Sequence, residues 1–140
     1  MGDSTAIINR NGVGEKISYD HKTEDDDECD RAENEGGTIM MTGAGPFRLN
    51  GVLTVTRAFG DYTMKPNYGL SIVPSFKRVE IDESVTQIII ASDGLWDVVT
   101  VEEAPSLVRQ MKAGEAAKTL VKTAIEQGTR DNTSVFVIDL

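Results

Sequence analysis

Histidine and cysteine are almost absent from this chain: its 140 residues include one of each, His21 and Cys29. A lone cysteine excludes an internal disulfide and any thiolate-based zinc site, and a lone histidine excludes a His-rich metal centre. A Ser/His/Asp or Cys/His catalytic set would have to rest on His21, which stands in the hydrophilic turn Asp20-His21-Lys22 and reads better as a structural residue. Basic residues are few as well. Fourteen Lys and Arg against 23 Asp and Glu give a formal charge of −9, so the basic footprint of a nucleic-acid binder is missing. No apolar run is long enough to span a bilayer, and the first residues lack the basic and apolar regions of a secretory leader. Met1-Gly2 would suit N-myristoylation, but Ala6 stands where that signal needs Ser or Thr. The single thiol points to a reducing, intracellular setting, cytoplasmic or nuclear. Strand-like sequence begins at Thr5, an abrupt start from which a larger parent protein is expected.

What is present is a succession of short strands, then helices, then a last strand. Thr5 to Asn9 reads as a strand, turned by Asn11-Gly12 onto a partner at Glu15 to Ser18. Asp25 to Glu35 is a charged helix stopped by Gly36-Gly37. Thr38 to Met41 and the β-branched Val52 to Thr56 read as strands, with Gly43 to Asn50 as a loop and Tyr62 to Pro74 as irregular chain. Phe76 to Ile81 alternates as a strand with a one-residue slip. Thr100-Val101-Glu102-Glu103 is a capping box for a helix carrying Leu107, Val108 and Met111, with Pro105 near its first turn. Glu115 to Gln127 has the clearest helical spacing, and Ser134 to Leu140 alternates as the final strand. This order predicts an α+β fold of mostly antiparallel sheet rather than a doubly wound one.

Several motif fragments lead nowhere. Gly12-Val13-Gly14 and Gly43-Ala44-Gly45 lack the third glycine of a dinucleotide loop. The acidic run Asp25-Asp26-Asp27-Glu28 lacks the central glycine and closing glutamate of a calcium loop and reads as a solvated helix face. The stretch from Thr86 to Asp97 carries more. An apolar run, Ile88-Ile89-Ile90-Ala91, predicts a strand buried on both faces, and it ends in Asp93-Gly94 with Asp97 four residues on. A carboxylate delivered from a rigid strand end needs a cation, a metal or hydrogen-bond donors. Asp3 before the first strand and Asp131 before the last occupy similar edges. Oxygen ligands without His or Cys suit Mg²⁺ or Mn²⁺. Singly, each has a plainer reading: Asp131 as a turn residue, Asp97 as a helix cap.

The segments Gly2-Asp3-Ser4, Asp20-His21-Lys22, Glu28-x-x-Arg31 running to Gly36-Gly37, Asn50-Gly51-Val52-Leu53 with Thr56-Arg57-Ala58-Phe59-Gly60-Asp61, Ala91 to Asp97, and Asp131-Asn132-Thr133-Ser134-Val135 occur in this order along the chain. In this the sequence resembles the metal-dependent protein phosphatases of type 2C. The resemblance implies the C-terminal half of a catalytic domain with a layered α/β/β/α sandwich, spanning residues 1–140. It implies hydrolysis of phosphoserine and phosphothreonine proteins by a metal-activated water, with two or three Mn²⁺ or Mg²⁺ ions in the complete domain. Asp93 and Asp131 match positions of the binuclear centre, and Asp3 and Asp97 match positions of a third, weaker metal. Arg57 and Asp61 match a mainly structural signature. The family's arginine for phosphate, its Glu-Asp pair and its Asp-Gly-His-Gly segment have no counterpart here, and Thr5 replaces the usual Arg after Gly-Asp-Ser. Two expectations follow: little or no activity for this chain alone, and self-association through exposed sheet edges and apolar surface. The competing reading is a pseudophosphatase or regulatory interaction module that keeps the fold without catalysis.

Overall fold

The computed structural model describes residues 1–65 and 67–140; Pro66, inside the stretch read as irregular, lies outside the described residues. The chain divides into two compact units, Met1–Asp3 with Tyr19–Ser75, and Ser4–Ser18 with Phe76–Leu140. Every strand ladder among the described residues is antiparallel, and helices stand beside the sheets, so the fold is mixed α and β of antiparallel type.

The second unit is built on a four-stranded sheet, β1 (Thr5–Arg10), β2 (Val13–Lys16), β5 (Val85–Ala91) and β6 (Val135–Asp139), in the order β2-β1-β5-β6. The β1–β2 hairpin turns at Asn11-Gly12, both with positive φ (53° and 88°), the geometry whose twist suits a two-residue hairpin. Helices α2 (Asp93–Trp96), α3 (Ala104–Leu107) and α4 (Ala113–Glu126) supply the rest of its core. Ile7, Ile89, Ala91 and Val137 from the strands pack with Leu95, Val99, Val108, Leu120 and Ala124 from the helical segments.

One expectation about β5 fails here. Its burial alternates, with Val85, Gln87, Ile89 and Ala91 inside and Thr86 and Ile90 exposed. Helices cover one face only, and Ile90, Phe136 and Ile138 are exposed. The apolar run thus served two faces, only one of which is packed against helices in this unit.

The first unit holds α1 (Asp26–Asn34) and a two-stranded sheet of β3 (Ile39–Met41) and β4 (Phe47–Leu49), around Ala32, Leu49 and Leu70. The Asp25 side chain accepts from the Glu28 N–H at 3.0 Å and caps α1. Here too the strand assignments shift. β4 lies within the expected loop, whereas Val52 to Thr56 forms no ladder. That segment's hydrogen bonds go to different partners: Leu53 pairs with Leu49, Thr54 receives the Thr23 N–H, and Thr56 bridges His21 and Ser71. β-Branched content favours extended backbone, but a ladder also needs one continuous partner.

Phe76 to Ile81 is likewise no strand, and Phe76 and Ile81 are exposed. The helix after the capping box stops at Leu107: Val108 already leaves helical geometry, with φ −115° and ψ 19°, and Gln110 then turns into the left-handed region at φ 63°. Among the described residues no helix is long and apolar enough to cross a membrane.

Candidate functional site

Asp93 follows the interior strand of the second unit's sheet, where ladders on both sides hold the backbone. It opens α2, and its Oδ1 accepts the Gly94 N–H at 3.0 Å. Asp131 lies just before β6, the neighbour of β5, and its Oδ1 accepts the Asn132 N–H at 2.6 Å. The two segments are tied together. Ser92 N–H donates to the Ser134 carbonyl (3.0 Å), and the Ser92 hydroxyl lies 3.1 Å from the Asn132 carbonyl and accepts from Ser134 N–H at 3.1 Å. Gly94 makes the approach possible, because a Cβ there would meet the Asn132 oxygen at 2.5 Å and the Thr133 Oγ1 at 2.8 Å. So the fold brings the Asp93 and Asp131 segments together, although 37 residues lie between them in sequence.

Asp97 also belongs to this unit, at the C-terminal cap of α2, where its N–H donates to the Asp93 carbonyl at 2.9 Å; it does not cap a helix start. Trp96 packs against the core, and its indole N–H donates to the Ala91 carbonyl at 3.0 Å, fixing the turn that carries both aspartates. Asp3 belongs to the first unit, and Lys22 Nζ stands 3.6 Å from its Oδ2.

The second unit brings two carboxylate-bearing segments side by side. Asp93 and Asp131 are hard oxygen donors on adjoining, backbone-fixed segments, the right chemistry for Mg²⁺ or Mn²⁺. Among the described residues no cluster of three or more His, Cys, Asp or Glu is positioned to hold a metal.

The most developed charged constellation was missed in the sequence. Glu28, read there as part of a solvated helix face, is only 3% exposed. Arg57 Nε donates to both its oxygens, at 2.9 and 3.1 Å, and Arg57 Nη2 also pairs with Oε1. Arg31 Nη2 stands 3.3 Å from Oε2, and the Thr56 hydroxyl donates to the same oxygen at 2.6 Å. Arg31 and Arg57 reach onward to the carbonyls of Gly69 and Val73. Burial alone would raise the Glu28 pKa, but the hydrogen bonds and charge of Arg57, with Thr56 and Arg31, push it down to about 2. The signal was local: Glu28 and Arg31 stand three apart on one helix, beside the fully buried Ala32. This cluster ties Arg57 to the buried Glu28 inside the first unit.

A sequence profile described as protein phosphatase 2C matches residues 1–133. The chain is 42% identical over 139 residues to probable protein phosphatase 2C 69 of Arabidopsis thaliana, covering 99% of this chain and 38% of that protein. It is 40% identical over 144 residues to protein phosphatase 2C homolog 1 of Saccharomyces cerevisiae, covering 100% of this chain and 48% of that protein. Thus the chain spans less than half the length of these relatives. Among solved structures, a C. elegans sex determining protein superposes with a TM-score of 0.86 at 30% identity, over 97% of this chain and 34% of that one. A serine-threonine phosphatase 2C from Toxoplasma gondii gives 0.82 at 26% identity, over 99% of this chain and 52% of that one.

Proposed function

This chain belongs to the protein phosphatase 2C family, and we propose on that footing that it serves as the C-terminal part of a metal-dependent serine/threonine phosphatase domain. The observation that carries the reading is the junction of the Asp93 and Asp131 segments through Ser92, Gly94 and Ser134. Asp93 and Asp131 are the residues that would hold Mn²⁺ or Mg²⁺, and Asp97 and Asp3, each within its own unit, are the further carboxylates that this reading assigns to weaker metal binding. When bound, such ions activate a water and offset the charge of a phosphoryl group. The chain's own contribution is to hold carboxylates at fixed backbone positions, one behind a strand flanked on both sides and one ahead of its neighbour. Substrates on this reading are phosphoserine and phosphothreonine proteins, in the cytoplasm or nucleus. Nucleic acid is no partner on this reading, given the −9 charge.

That the second unit brings together two such segments, with no cluster of three donors among the described residues, supports a further statement: the 140-residue chain is catalytically silent alone. Mn²⁺ titration of the wild type against Asp93→Asn, with a phosphopeptide assay in parallel, tests both. Weaker Mn²⁺ binding by the variant is expected, together with no turnover by either protein. Identical titrations would remove Asp93 from the site, and robust Mn²⁺-dependent hydrolysis by the wild type would overturn the silence.

A further inference from the structure

Asparagine followed by glycine occurs twice in the chain, at Asn11-Gly12 and at Asn50-Gly51. Both asparagines have positive φ, 53° and 52°, and so do both glycines, 88° and 72°. The dipeptide is chemically special because glycine has no side chain to hinder its own nitrogen. That nitrogen can attack the asparagine side-chain carbonyl carbon and close a five-membered imide. Sequence and backbone conformation treat the two sites alike, but their surroundings do not.

Asn50 is held at both ends of its amide. Its Oδ1 accepts the Thr38 N–H at 3.0 Å, and its Nδ2 donates to the Tyr68 carbonyl at 2.7 Å. Its own N–H donates to the Thr38 carbonyl at 2.7 Å, and Leu49 before it is fully buried. Attack at Asn50 therefore requires two side-chain hydrogen bonds to break beside the first unit's core. Asn11 sits at an exposed hairpin tip, and its side chain makes no hydrogen bond among the described residues. Its backbone N–H donates to the Ser84 carbonyl at 2.9 Å, and the Gly12 N–H is held by Asn9 Oδ1 at 2.8 Å. While the tip is closed, that last bond keeps the Gly12 nitrogen from turning onto the Asn11 side chain. The tip leads into an edge strand, however: β2 pairs only with β1, and Val13, Glu15 and Lys16 are exposed. Opening it disturbs few buried groups, and such local openings lie at the low-energy end for a folded protein.

We infer that Asn11 is a site of spontaneous covalent modification, deamidation by way of the imide, and that Asn50 is shielded from it. In the first step the Gly12 nitrogen gives up its proton and bonds to Cγ of Asn11. The bond from Cγ to Nδ2 breaks, and Nδ2 takes up a proton and leaves as ammonia. Water then opens the imide at either carbonyl, giving aspartate or isoaspartate, with no oxidant or other reagent consumed. Either product adds a negative charge at the tip. Isoaspartate also routes the backbone through Cβ, lengthening a two-residue turn whose register pairs Arg10 with Val13.

The experiment incubates the 140-residue chain in mildly alkaline buffer, native and in urea, and follows tryptic peptides 11–16 and 49–57 by mass spectrometry. Cleavage after Arg10, Lys16, Arg48 and Arg57 leaves one Asn-Gly pair in each. In the native chain, peptide 11–16 should gain the amide-to-acid mass at least about tenfold faster than peptide 49–57, the worth of two modest hydrogen bonds. In urea the two rates should converge. Equal native rates, or faster change at Asn50, overturn the inference, as does native silence at Asn11 over a period in which urea converts both. A rate at Asn50 that stays low in urea overturns the shielding, because the difference would then lie in sequence and not in the fold. Enzymatic methylation specific for isoaspartate decides the route: a labelled peptide 11–16 supports the imide, and aspartate alone overturns it. None of these readouts depends on a metal or on turnover, so their failure would leave the phosphatase reading untouched.

Discussion

At the scale of single residues, Glu28 has the largest consequences for stability. Removing one partner from a buried ion pair leaves the others uncompensated, so Glu28→Ala should lose about 3–5 kcal/mol in denaturant unfolding at neutral pH. The pH dependence has a definite sign. The folded-state pKa is about 2 against an ordinary 4.5, so the folded protein releases this proton more readily than the unfolded chain. The stabilisation is complete above pH 4.5 and disappears as the pH falls from 4.5 through 2. The shift corresponds to about 3 kcal/mol. Glu28→Gln should abolish that part of the acid-unfolding slope, and an unchanged slope would mean that the arginines do not hold Glu28 ionised. The placement of Asp93 and Asp131 at strand edges was legible because Asp93 follows an apolar run and Asp131 precedes an alternating one. Glu28 was not, since Asp25, Asp26 and Asp27 surround it with residues that are solvated, and burial of one acid among four leaves no compositional trace.

At the scale of elements, the capping box at Thr100 was read correctly, and its geometry is reciprocal. Thr100 Oγ1 accepts the Glu103 N–H at 3.2 Å while Glu103 Oε2 accepts the Thr100 N–H at 3.1 Å. Thr100→Ala should cost about 1 kcal/mol, seen as a lower denaturation midpoint at unchanged slope. A neutral substitution would show that Pro105 and the buried Ala104 and Val108 set the helix start without the cap. The hairpin turn, α1 and α4 were legible because turn chemistry and helical periodicity are local. Val52 to Thr56 and Phe76 to Ile81 were misjudged because a strand is defined by its partner, and no local pattern shows where that partner is. The length of α3 departs from expectation for a related reason: apolar spacing continues to Met111, but the backbone leaves the helix at Val108, with φ −115° and ψ 19°.

For the molecule as a whole, the sheet of the second unit leaves Ile90, Phe136 and Ile138 exposed, at 39%, 64% and 37%, and β6 stands at its edge. Exposed apolar residues on an open sheet favour association with a second copy. Light scattering should show a mass that rises with concentration, and Phe136→Lys should lower it; a wild-type monomer at high concentration would count against this surface. The family could be named from the sequence because its segments recur in order, whereas the division into two units could not, since Met1–Asp3 and Ser4–Ser18 part company without any change in composition. Gly94 has one more implication, for mutation rather than for structure. Any base change in the first two positions of a glycine codon that still encodes an amino acid writes a residue with a Cβ, and here a Cβ would lie 2.5 Å from the Asn132 oxygen. The seam between the two aspartate segments therefore has no neighbouring missense allele that is sterically silent, so a library of random point variants should be depleted of missense changes at this codon wherever the fold is under selection.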